Sequence, residues 1–134
     1  MVNADDRWAI HETLSLHGHI FDGGDIDRLG EIFTPDVVYD MSGVGLGVHE
    51  GIETVRAGAQ KMEQAGAGPL AHHVTNVVIT GEGDEVTAES KVFMLMKGGG
   101  LGSATQHDTL RRHGGGWRIS HRVLTPPRGV DGDD

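Results

Sequence analysis

Two adjacent histidines, His72 and His73, lead into a β-branched run, "LAHHVTNVVI", at residues 70–79. An imidazole can take or give a proton near neutral pH, or bind a metal. Alternate side chains of a strand point to opposite faces, so His72, Val74, Asn76 and Val78 are expected on one face. His73, Thr75, Val77 and Ile79 are expected on the other. The two histidines therefore do not enter one pocket together, nor easily hold one metal. Polar groups on apolar faces ask for a reason, because burial without a partner is costly. Three places qualify: His17 in the apolar stripe of the first helix, Asp22 at that helix's end, and His72 with Asn76. A carboxylate that orients an imidazole makes it a general base. The same residues also read as a satisfied core histidine, a helix-terminal acid and strand-end polarity, and chain spacing alone does not bring Asp22 to His72.

The elements that must position these groups follow from periodicity. Ile10, Leu14, His17 and Phe21 recur at helical spacing beside Ala9, Thr13, Leu16 and Ile20, giving one broad apolar face. "DGGD" at 22–25 ends that helix. Asp25 is then placed to cap a short second helix, "IDRLGEIF", which "TPD" at 34–36 ends. "VVYDM" reads as a strand and "SGVGLGVHEG" as a loop or short hairpin. Gly43, Gly45 and Gly47 in that loop resemble a phosphate-binding fingerprint only superficially, because the third glycine is misplaced and no βαβ unit surrounds it. A third helix, "IETVRAGAQKMEQA", carries Ile52, Val55, Ala59 and Met62 on one side.

Four strand-like segments follow, at 70–80, 85–97, 103–112 and 117–124, separated by "GEGD", "KGGGLG" and "HGGG" turns. Helices first and strands last imply an α+β domain whose helices cover one face of a curved sheet. On the second of these strands Val86, Ala88, Ser90, Val92, Met94 and Met96 share a nearly uncharged face. Small and flexible residues there leave room for an apolar ligand beside Val92 and Met94, and fit a plain helix-facing core as well.

The chain of 134 residues fits a single domain, here 1–125, followed by a loose acidic tail at 126–134. Its 20 acidic against 11 basic residues give a formal net charge of -9, which opposes binding to a phosphate backbone, so no nucleic-acid partner is expected. There is no cysteine, which removes disulfides, zinc–thiolate sites and thiol nucleophiles. No His-x-His or HExxH spacing suggests another metal site, so neither metal nor cofactor is expected. The N-terminus "MVNADDRWAI" lacks an apolar signal region and no run is long enough to span a membrane; a cytoplasmic protein without a membrane partner is the expectation.

Three stretches together resemble the SnoaL-like branch of the nuclear transport factor 2-like superfamily. They are "IFDGGDIDRLGEIFTPDVVYDMSG" (20–43), "HHVTN" (72–76) and "DTLRRHGGGWRISHR" (108–122), in the family's order and across nearly the whole chain. The resemblance implies a cone-shaped α+β barrel: three N-terminal helices packed on a strongly curved, mixed and mostly antiparallel sheet around a deep apolar pocket. It also implies a homodimer through the outer sheet face, where Phe93 and Leu95 would lie. Relatives include polyketide cyclases, ketosteroid isomerases, epoxide hydrolases, dehydratases and a dehydrochlorinase, besides pure binding modules.

By this resemblance Asp22 and His72 correspond to the Asp–His dyad of the dehydratases, Arg122 to their pocket arginine and Tyr39 to an aromatic of their first strand. Some positions depart from the pattern. His17 stands where relatives carry Tyr or Lys, Met94 or Leu95 where they place a further polar catalytic residue, and Gln106 where an aromatic is common. The reading that results is an acid–base enzyme, a dehydratase, cyclase or isomerase of a small, largely apolar, oxygenated molecule, polyketide-like or terpenoid. Asp22, His72 and Arg122 would be catalytic, with His17, Tyr39, Asn76, Val92 and Met94 around the substrate. The alternative is a binding module of the same fold without catalysis.

Overall fold

The computed structural model describes residues 2–129. Of the expected tail at 126–134, residues 130–134 lie outside the described part. Helix α1 (Ala4–Gly23) opens the chain, followed by a 3₁₀ helix (Ile26–Glu31), strand β1 (Phe33–Asp40), a 3₁₀ turn (Ser42–Val44) and β2 (Val48–Glu50). Then come α2 (Ile52–Gln64), β3 (Ala71–Thr80), β4 (Glu85–Leu95), β5 (Leu101–His113) and β6 (Gly116–Thr125). The six strands form one sheet in the order β2-β1-β6-β5-β4-β3. β1 and β6 run parallel, while the other neighbours are antiparallel. This is the α+β arrangement expected, with three helices on a mixed sheet.

Helix α1 is fixed at both ends. At its start Asn3 and Asp6 form a capping box, the Asn3 side chain accepting from the Asp6 amide at 2.9 Å and Asp6 accepting from the Asn3 amide at 3.0 Å. Asp6 also takes two hydrogen bonds from Arg112 and one from the Trp117 indole, which ties the helix to the β5–β6 hairpin. Arg112 holds the Asp6 carboxyl below the usual carboxylate range. Ile10, Leu14, His17 and Ile20 are buried on the face turned to the sheet.

Two local readings are corrected. The second helix is 3₁₀ rather than α, ends at Glu31, and Asp25 makes no side-chain cap to it. Only Leu29 of it is buried, and six residues around a glycine offer little to nucleate an α-helix. The chain therefore enters β1 at Phe33, earlier than expected and through Pro35. The β1–β6 register is interrupted between Phe33 and Val38, so the missing proline amide removes no regular ladder bond. In α2 only Val55 is buried and Met62 is 38% exposed, and residues 60–64 are all exposed, so the helix packs on β1, β2 and the 3₁₀ helix mainly through its first half.

The third correction concerns β3. The β3–β4 register shifts between Thr75 and Val78, and Asn76 has φ of 56°, a left-handed conformation suited to Asn at a bulge. A bulge exchanges the two faces of the strand beyond it. Val74 packs on the core before it, whereas Val77 and Ile79 pack there after it, and Val78 is 63% exposed. Asn76 is exposed and does not join His72 on the inner face.

β4 keeps strict alternation, with Val86, Ala88, Ser90 and Val92 buried and Met94 half-buried. Phe93 and Leu95 are exposed on its outer side. Among the described residues no helix is long and apolar enough to cross a membrane.

Candidate active site

The sheet curls tightly enough to bring its far strands together over α1. β1 and β3 are four strand spacings apart, ~19 Å in a flat sheet. Yet the His17 ring lies 6.3 Å from that of Tyr39 on β1 and 5.6 Å from that of His72 on β3. The chemistry-bearing side chains meet in this fold of the sheet.

Asp22, in the last turn of α1, and His72, at the start of β3, are in direct contact. His72 Nδ1 is 2.6 Å from Asp22 Oδ1, and the His72 backbone N–H donates to Asp22 Oδ2 at 2.9 Å. An ionised carboxylate only accepts, so Nδ1 carries the proton and the lone pair is left on Nε2. The two side chains are 25% and 18% exposed, so the pair is sheltered without being sealed. An acid at the negative end of a helix dipole is poorly placed for helix stability, and no basic residue occupies that turn. Its position is set by His72. His73 points the other way, exposed and stacked on Phe93 with ring centroids 5.0 Å apart.

Gly18 sets the distance between α1 and β3. A Cβ there would stand 2.8 Å from the His72 carbonyl oxygen, inside any allowed contact. Sequence reasoning missed this residue; the signal was a lone glycine within an apolar helical stripe. Gly18→Ala gains about 1 kcal/mol of helix propensity but forces an overpacked contact costing ~1–3 kcal/mol. The expected net result in thermal melts is a lower melting temperature. A variant as stable as the parent would show that α1 is not pressed against β3.

Deeper in the fold, Arg122 is fully buried and Asp108 is 3% exposed. The pair is bidentate, Nε to Oδ1 at 2.6 Å and Nη2 to Oδ2 at 2.9 Å, across the β5–β6 register. Burial opposes the guanidinium's charge, but the charge and hydrogen bonds of Asp108 outweigh it, and Arg122 is held above its ordinary range. Nη1 is buried and has no hydrogen-bond partner among the described residues. The Tyr39 ring faces the guanidinium, 5.7 Å from Cζ.

Asp108 was legible only as part of a motif, since nothing local names its partner. Tyr39 Oη lies 3.4 Å from His17 Nε2. Burial raises the Tyr39 pKa, so it stays a phenol that can donate.

His17 is 4% exposed, and burial first, then Arg122 and His72, lower its pKa well below 6.5. It is therefore neutral in the native state and protonates readily only on unfolding. Its contribution to stability is full above pH ~6.5 and is lost as pH falls toward the depressed native value, with a slope of up to ~1.4 kcal/mol per unit. Denaturant titrations at several pH values should show this acid loss in the parent and a flatter profile in His17→Gln. Equal profiles would place a charged imidazole in the fold.

Of the other expected lining residues, Val92 is buried and Met94 half-buried on the same inner face, while Asn76 is displaced by the bulge. Among the described residues no three His, Asp or Glu side chains converge to hold a metal ion. An open cleft of about 450 Å³ between α1 and the start of β6 is lined by Glu12, Thr13, His19 and Trp117 among others. It includes none of the groups above.

The sequence matches the family profile described as "SnoaL-like domain" over residues 2–123. No curated protein matches the chain. A protein of unknown function with a cystatin-like fold from Nostoc punctiforme is similar at 25% identity and a TM-score of 0.82, with 96% of each chain covered. A candidate aromatic ring hydroxylase from Novosphingobium aromaticivorans is similar at 27% identity and a TM-score of 0.80, covering 94% of this chain and 92% of that one. A candidate scytalone dehydratase from the same organism shares the fold at 18% identity and a TM-score of 0.75, covering 94% and 87%.

Proposed function

Because the chain belongs to the SnoaL-like family, we propose that it is an acid–base enzyme, without a cofactor, acting on a small, largely apolar, oxygenated molecule. The contact between Asp22 and His72 Nδ1, which leaves Nε2 free as a base, carries this reading. Nε2 takes a proton from a carbon beside a carbonyl, and the electrons of the broken C–H bond pass into the carbonyl as an enolate. Asp22 stabilises the imidazolium that forms. The Tyr39 hydroxyl, with the charge of the buried Arg122 behind its ring, is the donor available to the enolate oxygen in a sheltered site.

Expulsion of a neighbouring hydroxyl completes a dehydration, with the imidazolium returning its proton to the departing oxygen so that water leaves. Attack of the enolate carbon on a second carbonyl gives cyclisation, and reprotonation at another carbon gives isomerisation. Dehydration is the first choice among the three.

One observation favours a second reading, a binding module without turnover. Asp22 also ties down the His72 backbone amide, a purely structural task. Proton exchange separates the two. A small cyclic ketone incubated in heavy water should gain deuterium beside its carbonyl faster with the protein than with buffer, and His72→Asn should abolish the gain. No gain with the parent protein would support the binding module.

The proposed assembly is a homodimer through the outer sheet face, where Val78, Phe93, Leu95 and Leu101 are 38–74% exposed. Light scattering at micromolar concentration should give twice the chain mass, and Phe93→Lys should give the monomer. A monomeric parent protein would remove this proposal.

A further inference from the structure

The inner sheet face holds a polar pair for which the proposed proton transfer has no use. Ser90 and Gln106 are 1% and 3% exposed, face each other across the β4–β5 register and share one hydrogen bond of 3.0 Å, from Ser90 Oγ to Gln106 Oε1. A glutamine amide can make four hydrogen bonds. Among the described residues this side chain makes that one alone. Its Nε2 has no hydrogen-bond partner among the described residues.

The neighbours explain why. Ala88 and Ala104 flank the pair along β4 and β5, both too small to reach over it, with Val92 opposite Ala104 and Leu124 beside Gln106 on β6. Two apolar residues would fill this place without the cost of burying an amide. The order of the face from its His72 end is Met94 with Gly102, Val92 with Ala104, Ser90 with Gln106, then Ala88 with Asp108, the partner of Arg122. Gln106 thus stands one strand repeat, ~7 Å, before the carboxylate that holds the guanidinium.

We propose that the Ser90–Gln106 pair is a second polar anchor of the site, taking a neutral hydroxyl or carbonyl oxygen of a substrate whose other oxygen lies at the Tyr39 hydroxyl, beside Arg122. The substrate class is then a dioxygenated compound with an apolar frame between its oxygens. An uncharged amide, held by Ser90 so that one end faces the ligand, both selects a neutral group and fixes its distance from the base. The inference rests on the inner face being the substrate site, as the proposed function has it.

Binding tests it without turnover. The probes are a tetralone, with one carbonyl, and the hydroxytetralone that adds a hydroxyl on the other ring. Titration calorimetry should show the parent protein binding the hydroxytetralone about tenfold more tightly, the effect of one buried neutral hydrogen bond. Gln106→Leu should bring the affinities of the two probes within about twofold of each other, and Ser90→Ala should reduce the preference in part. Circular dichroism verifies the fold, and Gln106→Met serves if the leucine variant does not fold. No preference in the parent protein, no binding of either probe, or a preference that survives both Gln106 substitutions would overturn the proposal. A preference with no deuterium exchange would uphold it while removing the enzyme reading.

Discussion

His72→Asn is expected to slow turnover of an accepted substrate by ~10²–10⁴-fold, the range for removing a positioned acid–base group. Asparagine keeps much of the volume and still offers a polar end to Asp22, so circular dichroism should be unchanged. Asp22→Asn should be severely impaired as well, for two separable reasons. The amide cannot stabilise an imidazolium. It must also replace a carboxylate that now accepts from both Nδ1 and the backbone amide of His72, so the start of β3 should loosen. His73→Asn should stay within a few-fold of the parent, because that ring stacks on Phe93 on the other face. Normal turnover in His72→Asn with a dead His73→Asn would reverse the assignment of faces.

The largest loss of stability is expected at Asp108. Removing one partner of a buried ion pair leaves the other charged and unpaired, at a cost of ~3–5 kcal/mol. Native domains are stable by only ~5–15 kcal/mol, so Asp108→Ala should consume much of the margin and unfold at far lower urea. Arg122 has little alternative, since the Tyr39 ring faces it on another side and its Nη1 has no hydrogen-bond partner among the described residues. Replacing both residues, Asp108→Leu with Arg122→Met, should recover most of the stability while leaving the site without its cation. A single Asp108→Ala variant as stable as the parent would show that water reaches the guanidinium.

Much of this architecture is legible in sequence because its signals are local. The glycine turns mark the four long strands to within a few residues, and alternation along 85–95 separates the inner from the outer face of β4. Where reading by period two fails, a single residue is responsible. Asn76 adopts a left-handed conformation, the ladder slips, and Val77 and Val78 exchange faces. Nothing in "HHVTN" announces that slip, since a bulge is fixed by the pairing of two strands rather than by one. The same holds for the site. His17, Tyr39, Asp22 and His72 are each visible as polar or aromatic groups, but their meeting depends on a sheet curled through four strand spacings and on the room made by Gly18. Asp108 and Gln106 stand out in the sequence only by family resemblance, and strand alternation does not give their partners, because only the partner strand shows which polar residues lie inside.

The parallel pairing of β1 with β6 has a consequence for how the chain is made. β6 (Gly116–Thr125) sits between β1 and β5, so it joins the first strand of the chain to the last hairpin. On the ribosome, β1, β2 and α2 emerge early and find no central strand to lie on, while β3, β4 and β5 can zip together in sequence as antiparallel neighbours. Until β6 has left the tunnel, α1 has β3 to lie on but not β6, and Arg122 has not yet met Asp108. Docking of β1 thus waits for β6, and until then the nascent chain leaves part of the apolar face of α1 uncovered, a natural client for holding chaperones.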